Sequence, residues 1–276
     1  MSALLTVYEK AMPETLGWRE KLEAARAAGF DGVELSIDET DAKLARLGWD
    51  APQRRALRAL TVDTGACLQT MCLSGHRRYP LGSRDPQIRQ RGLDIARQAI
   101  ELSYDLGIRI IQLAGYDVYY EPSDDGCAAR FGEALAQVTA YAAQRGVILA
   151  FETMETPFMD TVEKAMAHVR RIGSPFLQVY PDLGNITNGA ADPAADLAAG
   201  AGHIVAAHLK DTLPGVYRGL HFGEGRVAFP ALIRQLRQQG VGLFNAEFWF
   251  DPAYRGGNWA GALREAHDRL RPLTEG

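Results

Sequence analysis

Four side chains that could bind a metal ion stand at matching places in the sequence, each at or near the end of a short apolar run. They are Glu152 in AFET, Asp182 in VYPD, His208 in AAHLKD and Glu247 in NAEFWF. Two glutamates, an aspartate and a histidine form an oxygen-rich ligand set with one nitrogen, which suits Mn²⁺, Mg²⁺, Zn²⁺ or Co²⁺. A charge inside an apolar strand is costly unless it is paired or bound to a metal. The pattern therefore predicts a site for one divalent metal ion.

Each of the four residues also has an ordinary structural interpretation. A single acidic residue at a strand end commonly caps a helix or holds a loop. A lone histidine between Ala207 and Leu209 is commonly a hydrogen-bonded core residue. Three acids and a histidine at four equivalent strand ends are difficult to explain as four separate accidents, so we favour the metal site.

The elements that would position these residues alternate along the whole chain. Eight short strand-like runs are separated by eight longer helix-like runs, and five of the helices end at a glycine: Gly29, Gly107, Gly146, Gly173 and Gly240. Strict alternation is typical of parallel strands covered by helices. Eight such units in 276 residues favour a closed barrel over an open doubly wound sheet, and no GxGxxG motif follows the first strand. We predict an α/β fold, a single (β/α)₈ TIM barrel, as one domain over residues 1–276.

The last four predicted strands carry the candidate ligands. Their predicted ranges are Val147–Glu152, Phe176–Asp182, His203–Asp211 and Leu243–Phe250. The carboxyl ends of parallel barrel strands meet at one rim, where active sites collect. We therefore expect the four side chains to converge. Strands six and seven are predicted to be joined by one short helix near Pro193–Ala199.

Composition excludes several other classes of protein. A net charge of −4 gives no footprint for a nucleic acid or an anionic membrane. No stretch approaches the roughly 20 apolar residues of a membrane span, and the amino terminus lacks a signal-peptide pattern, so we expect a cytoplasmic protein. Three cysteines without paired spacing, Cys67, Cys72 and Cys127, indicate neither a disulfide framework nor a CxxC zinc site.

Seven longer stretches are too specific to be general features of barrels. They are GFDGVELSIDETD, MCLSGHRRYPLGS, IQLAGYDVYY, ETPFM, YPDLGN, HLKDTLPGV and FGEG. Through them the chain resembles the L-xylulose-5-phosphate and L-ribulose-5-phosphate 3-epimerases of the xylose-isomerase-like barrel superfamily over nearly its whole length. The sequence departs from that family's pattern at Glu155 and His221, where an aspartate and a proline are expected, and both positions bear on substrate specificity.

The resemblance implies a metal-dependent enzyme that interconverts ketopentose 5-phosphates, with Zn²⁺ or Mn²⁺ held by Glu152, Asp182, His208 and Glu247. Such an enzyme removes the proton at C3 and returns one to the opposite face through an enediolate. A metal at the C2 and C3 oxygens stabilises the developing charge. Inversion suits two acid/base groups on opposite faces, and the resemblance gives those roles to Glu152 and Glu247.

Three residues are expected to contact the substrate near the metal. His76 follows strand three, on a loop that the resemblance places at the active-site face. Lys210 shares strand parity with His208, and Tyr116 belongs to a cluster of tyrosines after strand four. Arg77 and Arg78 beside His76 are equally compatible with a solvated basic loop.

The loop after strand seven is expected to bind the phosphate. Gly223 and Gly225 would let backbone amides approach an anion closely, and Arg226 would add a cation. Barrels commonly bind phosphate after strands seven and eight. A flexible turn is an alternative interpretation of the same glycines.

Four other functions fit parts of the pattern. A 3-epimerase of free ketoses and an aldose–ketose isomerase would use the same barrel and a similar ligand set. A metal-dependent nucleic-acid phosphoesterase would need clustered metals and a basic surface, which a net charge of −4 disfavours. A non-catalytic sugar-binding protein would not need both glutamates. The expected partner is a small sugar or sugar phosphate, and the sequence does not decide whether the protein forms a homodimer.

Overall fold

Eight short parallel strands form one curled sheet in the computed structural model, which describes residues 2–275. The strands are β1 Leu4–Tyr8, β2 Gly32–Ile37, β3 Thr70–Leu73, β4 Ile110–Ala114, β5 Ile148–Glu152, β6 Leu177–Val179, β7 Ala207–Leu209 and β8 Leu243–Ala246. They are hydrogen-bonded in the order β6-β5-β4-β3-β2-β1-β8-β7. Backbone bonds from Val179 N to His203 O (2.9 Å) and from Val205 N to Val179 O (3.0 Å) close the sheet between β6 and β7. The predicted TIM barrel is confirmed.

Ten α-helices surround the barrel within residues 2–275. They are α1 Trp18–Ala27, α2 Asp41–Leu44, α3 Ala51–Thr64, α4 Pro86–Leu106, α5 Cys127–Arg145, α6 Val162–Ile172, α7 Leu183–Gly189, α8 Pro193–Ala199, α9 Phe229–Gln238 and α10 Trp259–Glu275. The prediction of one helix per strand was wrong at two places, because α2 and α7 are additional. Both start at a side-chain cap: the Thr40 hydroxyl accepts from Lys43 N, and the Asp182 carboxylate accepts from Asn185 N.

The strands on either side of the closure are shorter than predicted. β6 stops at Val179 because the chain turns after it into α7, and β7 has three residues. An isolated parallel bridge between Asp182 and His208 continues the pairing beyond β6, with His208 N donating to Pro181 O at 3.0 Å. The bridge keeps two candidate ligands side by side although neither strand extends as far as expected.

A buried ion cluster fixes the chain just after β1. Glu9 is fully buried, and its carboxylate contacts Arg46 Nη1 at 2.7 Å, Lys21 Nζ at 3.6 Å and Lys43 Nζ. Burial raises the pKa of Glu9, but the charges of Arg46 and Lys43 outweigh it, so the pKa lies below its ordinary value. The cluster ties the end of β1 to α1, α2 and the short 3₁₀ helix Ala45–Gly48.

None of the helices described between residues 2 and 275 combines the length and apolar character needed to cross a bilayer.

Candidate metal and active site

The barrel brings the four predicted ligands together at its carboxyl rim. Glu152 is the last residue of β5, Asp182 precedes α7, His208 lies in β7 and Glu247 follows β8. One ligand atom from each residue lies within 4.8 Å of all the others, and all four side chains are buried. Parallel strands produce this convergence because their carboxyl ends share one rim.

The two nitrogens of the His208 ring face different partners. Nδ1 lies 2.9 Å from Glu152 Oε1 and 3.0 Å from Glu247 Oε2, whereas Nε2 lies 2.7 Å from Glu34 Oε1. An ionised carboxylate only accepts hydrogen bonds, so Glu34 favours a proton on Nε2. In the neutral ring this leaves the Nδ1 lone pair directed at the other ligand residues.

The position of Asp182 is compatible with both of its predicted roles, the helix cap and the metal ligand. Its Oδ1 accepts from Asn185 N at 2.8 Å and caps α7. Its Oδ2 lies 2.7 Å from Lys210 Nζ without acceptable hydrogen-bond geometry, and Glu247 Oε2 is a second buried oxygen with no such bond. A bound cation would satisfy buried carboxylate oxygens of this kind.

The electrostatics of the cluster also fit a cation. Burial raises the pKa of Asp182 to about 8, and burial together with the charge of Glu247 raises the pKa of Glu152. Burial raises the pKa of Glu247 as well, but Lys210 and His208 outweigh it and the pKa falls below its ordinary value. The site thus holds three carboxylates but only one histidine and one lysine to balance their negative charge. Oxygen-rich ligand sets with one imidazole suit divalent ions, so the residues present fit such a metal.

A second layer of polar side chains holds the ligands. Glu34 accepts from Asn245 Nδ2 at 2.8 Å and from Tyr180 OH at 3.1 Å, and Gln112 Nε2 donates to Glu152 Oε2. Glu34 and Gln112 are fully buried. Sequence reasoning missed both, although each is a polar residue inside an apolar strand, the same signal that identified Glu152.

A narrow cavity of about 100 Å³ opens from the cluster to the rim. Lys210, predicted to lie near the metal, lines this cavity. It is joined there by residues from several loops: Lys10, Ser74, Arg77, Glu155, Tyr217, Arg218 and Trp249. Sequence reasoning missed Arg218, because a position inside the long loop after β7 carries no periodic signal.

The loop after β3 presents a different residue from the one expected. His76 is buried, its Nε2 lies 3.1 Å from Gly92 O, and burial lowers its pKa to about 4. It does not line the cavity, so its position gives no support for a substrate contact. Arg77 lines the cavity instead and donates to Tyr116 OH at 3.2 Å. Tyr116 lies behind Arg77 and donates to Glu155 Oε2 at 2.7 Å.

The glycine loop after β7 binds an internal carboxylate. Gly223 N and Gly225 N donate to Asp211 Oδ2 at 2.8 and 2.9 Å. A Cβ at Gly225 would lie 2.1 Å from Asp211 Oδ1, so close approach requires glycine there. Arg226 donates to Thr187 O at 3.1 Å, away from the cavity. Because Asp211 occupies these two amides, their position gives no support for the expected phosphate contact, which stays a prediction.

Comparison with known proteins supports the barrel fold and assigns the family. The family model described as "Xylose isomerase-like TIM barrel" matches residues 22–273. Proteins named L-ribulose-5-phosphate 3-epimerase UlaE from Salmonella paratyphi A and Salmonella typhimurium are 46% identical over 268 residues, which cover 97% of this chain and 93% of theirs.

Solved structures of sugar epimerases share the fold at low sequence identity. A D-allulose 3-epimerase from Methylomonas sp. has a TM-score of 0.80 at 19% identity and covers 99% of this chain and 98% of its own. A D-psicose 3-epimerase from Clostridium cellulolyticum H10 has a TM-score of 0.82 at 17% identity and covers 100% of both chains.

Proposed function

The chain belongs to the L-ribulose-5-phosphate 3-epimerase family of xylose isomerase-like TIM barrels and is an isomerase of the epimerase class. On that premise we propose that it inverts C3 of a ketopentose 5-phosphate, of the L-ribulose 5-phosphate and L-xylulose 5-phosphate type. The reaction would proceed with the help of a divalent metal ion. The observation that carries the proposal is the buried cluster in which two glutamates, an aspartate and a histidine converge at the carboxyl rim.

The four ligand residues would hold one metal ion, Zn²⁺ or Mn²⁺, with Mg²⁺ and Co²⁺ as alternatives. When bound, the ion supplies positive charge that stabilises the negative charge developing on the substrate oxygens next to C3. His208 would contribute Nδ1, because Glu34 engages Nε2. Asp182 would contribute Oδ2, because Oδ1 already caps α7.

Glu152 and Glu247 are proposed to move the protons. One carboxylate takes the C3 proton from one face, and the other, protonated, returns a proton to the opposite face. Their ligand oxygens lie within 4.8 Å of each other and both residues line the cavity, so a carbon held between them can be reached from either side. The roles exchange with the direction of reaction. Lys210, 3.6 Å from Glu247 Oε2, is placed to donate to a substrate oxygen.

The phosphate is proposed to bind at the mouth of the cavity, on Arg77 and Arg218. The Arg77 guanidinium lies 5.4 and 5.0 Å from the rings of Tyr116 and Tyr119, and its Nη2 donates to Tyr116 OH at 3.2 Å. Arg218 Nη2 lies 3.2 Å from Glu155 Oε1 and its guanidinium lies 6.0 Å from the Trp249 ring. Arginine recognises phosphate through paired N–H donors, and Arg77 and Arg218 both line the cavity.

The experiment compares phosphorylated and free substrates in wild type and in the double variant Arg77→Gln/Arg218→Gln. We expect wild-type kcat/KM to be higher for L-ribulose 5-phosphate than for L-ribulose, with the C3 epimer as product. The variant should lose about 10-fold or more on the phosphorylated substrate and little on the free sugar, since charge-assisted hydrogen bonds contribute about 1.5–3 kcal/mol each. Equal kcat/KM for both substrates in wild type would instead favour a free-ketose epimerase.

A further inference from the structure

A second cavity, of about 460 Å³, lies at the opposite end of the barrel from the ligand cluster. Arg109 precedes β4 and Val147 precedes β5, so the cavity opens at the amino ends of these strands. The helix α3 forms another of its walls. Five arginines and one aspartate supply its charged lining: Arg54, Arg55, Arg58, Arg109, Arg145 and Asp105. We call this site the arginine cavity.

Three of the five arginine side chains have no protein partner among the residues that the structure describes. Arg54 Nη1 pairs with Asp105 Oδ2 at 2.8 Å, and Arg145 Nε pairs with Glu101 Oε1 at 2.7 Å. The guanidinium groups of the other three form no ion pair or hydrogen bond with any residue from 2 to 275; these are Arg55, Arg58 and Arg109. All three side chains are exposed, so the arginine cavity presents donors to solvent and a local excess of positive charge within a chain whose net charge is −4.

Ordinary helix electrostatics account for only part of this cluster. α4 ends at Leu106 and α5 at Arg145, and cations near helix carboxyl termini are favourable, which explains Arg109 and Arg145. Arg55 is the fifth residue of α3, past its first turn, so the helix dipole does not account for it. Mutual repulsion among the five arginines disfavours their clustering, and a bound anion would offset that repulsion.

We propose that the arginine cavity binds a small molecule carrying two or more phosphate groups. Arginine forks match phosphate oxygens in geometry and charge, and 460 Å³ lies within the usual range for small-ligand sites. Tyr104, with 56% of its surface exposed, lines the cavity, and the Arg145 guanidinium lies 5.8 Å from its ring. This ring gives a flat group such as a nucleobase a surface to stack on, so a nucleoside diphosphate is the preferred class.

The test is calorimetric titration of the protein with ADP and, separately, with inorganic pyrophosphate, which carries two phosphates but no sugar that the active site would take. Three double variants each remove two positive charges: Arg55→Gln/Arg109→Gln in the arginine cavity, Arg77→Gln/Arg218→Gln in the active site, and Arg234→Gln/Arg264→Gln elsewhere on the surface. We expect the first to weaken binding by at least about 10-fold and the other two to leave it unchanged. Basal epimerase activity of the first variant should equal that of wild type.

The two probes separate the parts of the proposal. Equal affinities support recognition of the phosphates alone. Tighter binding of ADP that is lost in Tyr104→Leu supports stacking on that ring. The proposal is overturned if neither probe binds wild type at millimolar concentration. It is also overturned if the active-site variant or the surface variant loses as much affinity as the arginine-cavity variant, because the ligand then sits in the active site or binds through net charge.

Discussion

Replacing Glu34 by glutamine tests whether a buried carboxylate outside the ligand set controls the metal site. Glu34 Oε1 lies 2.7 Å from His208 Nε2 and 2.8 Å from Asn245 Nδ2, and Oε2 lies 3.1 Å from Tyr180 OH. A glutamine in the same pose can accept from His208 and Asn245 through its oxygen and donate to Tyr180 through its nitrogen. Glu34→Gln therefore removes the charge and retains three hydrogen bonds, with the direction of the bond to Tyr180 reversed.

The expected effect is on metal affinity rather than on folding. The Glu34 carboxylate orients the ring and makes Nδ1 a better ligand, and loss of such a partner lowers metal affinity by about 10- to 100-fold. At about 1.4 kcal/mol for each factor of ten, this corresponds to roughly 1.4–2.7 kcal/mol. Because the four ligands remain, turnover should recover substantially at saturating metal.

The measurement is the Kd for Zn²⁺, obtained by competition with a chromogenic chelator. Glu133→Gln, an exposed position on α5, is the matched control and should bind Zn²⁺ like wild type. Thermal unfolding of the metal-free proteins shows whether the substitution has damaged the barrel. A Glu34→Gln protein whose Kd lies within twofold of wild type would refute the positioning role.

Four further outcomes follow from the same contacts. Removing the metal with EDTA should abolish epimerisation, and added Zn²⁺ or Mn²⁺ should restore it; full activity after removal would contradict metal dependence. Asp182→Asn should lose metal binding and the buried ion pair with Lys210 but keep the cap of α7, since asparagine is an equally good N-cap, so the metal-free protein should melt at a lower temperature yet still fold. Gly225→Ala should destabilise the loop by about 1–3 kcal/mol, because the new Cβ would overlap Asp211; an unchanged melting temperature would count against that contact. Glu9→Gln should destabilise the protein by about 3–5 kcal/mol at pH 7, as it leaves three buried or half-buried cations unpaired. The pKa of Glu9 is lowered by folding, so its contribution is complete above about pH 4.3 and is lost as the pH falls through the folded value; urea unfolding of both proteins should show the gap narrowing on acidification.

The barrel could be predicted because its signals are local and repeated. Gly107 and Gly146 adopt left-handed φ angles of 77° and 65° at the ends of α4 and α5, as helix-terminating glycines do. The bounds of α4 agree with the proline at its start and the glycine at its end. α7 could not be read from periodicity, because its seven residues form where Asp182 caps a turn inside YPDLGN.

In the candidate site, the ligand cluster could be predicted from local sequence patterns, whereas the residues of the rim could not. The metal cluster could be predicted because its four residues lie at the ends of strands, and the alternating sequence pattern locates those ends. The rim could not be predicted, because loop side chains are placed by long-range contacts: His76 turns inward to Gly92 while its neighbour Arg77 lines the cavity. The glycines of FGEG have the composition of an anion-binding loop, and the anion is the chain's own Asp211.

Proton exchange at C3 tests the central claim most directly. The protein loaded with Zn²⁺ is incubated in D₂O with L-ribulose 5-phosphate, and deuterium is located by NMR. The account predicts deuterium at C3 together with formation of the C3 epimer, and loss of both in Glu247→Gln. Deuterium at C1 or C2 with an aldose product, or no exchange with this substrate, would contradict it.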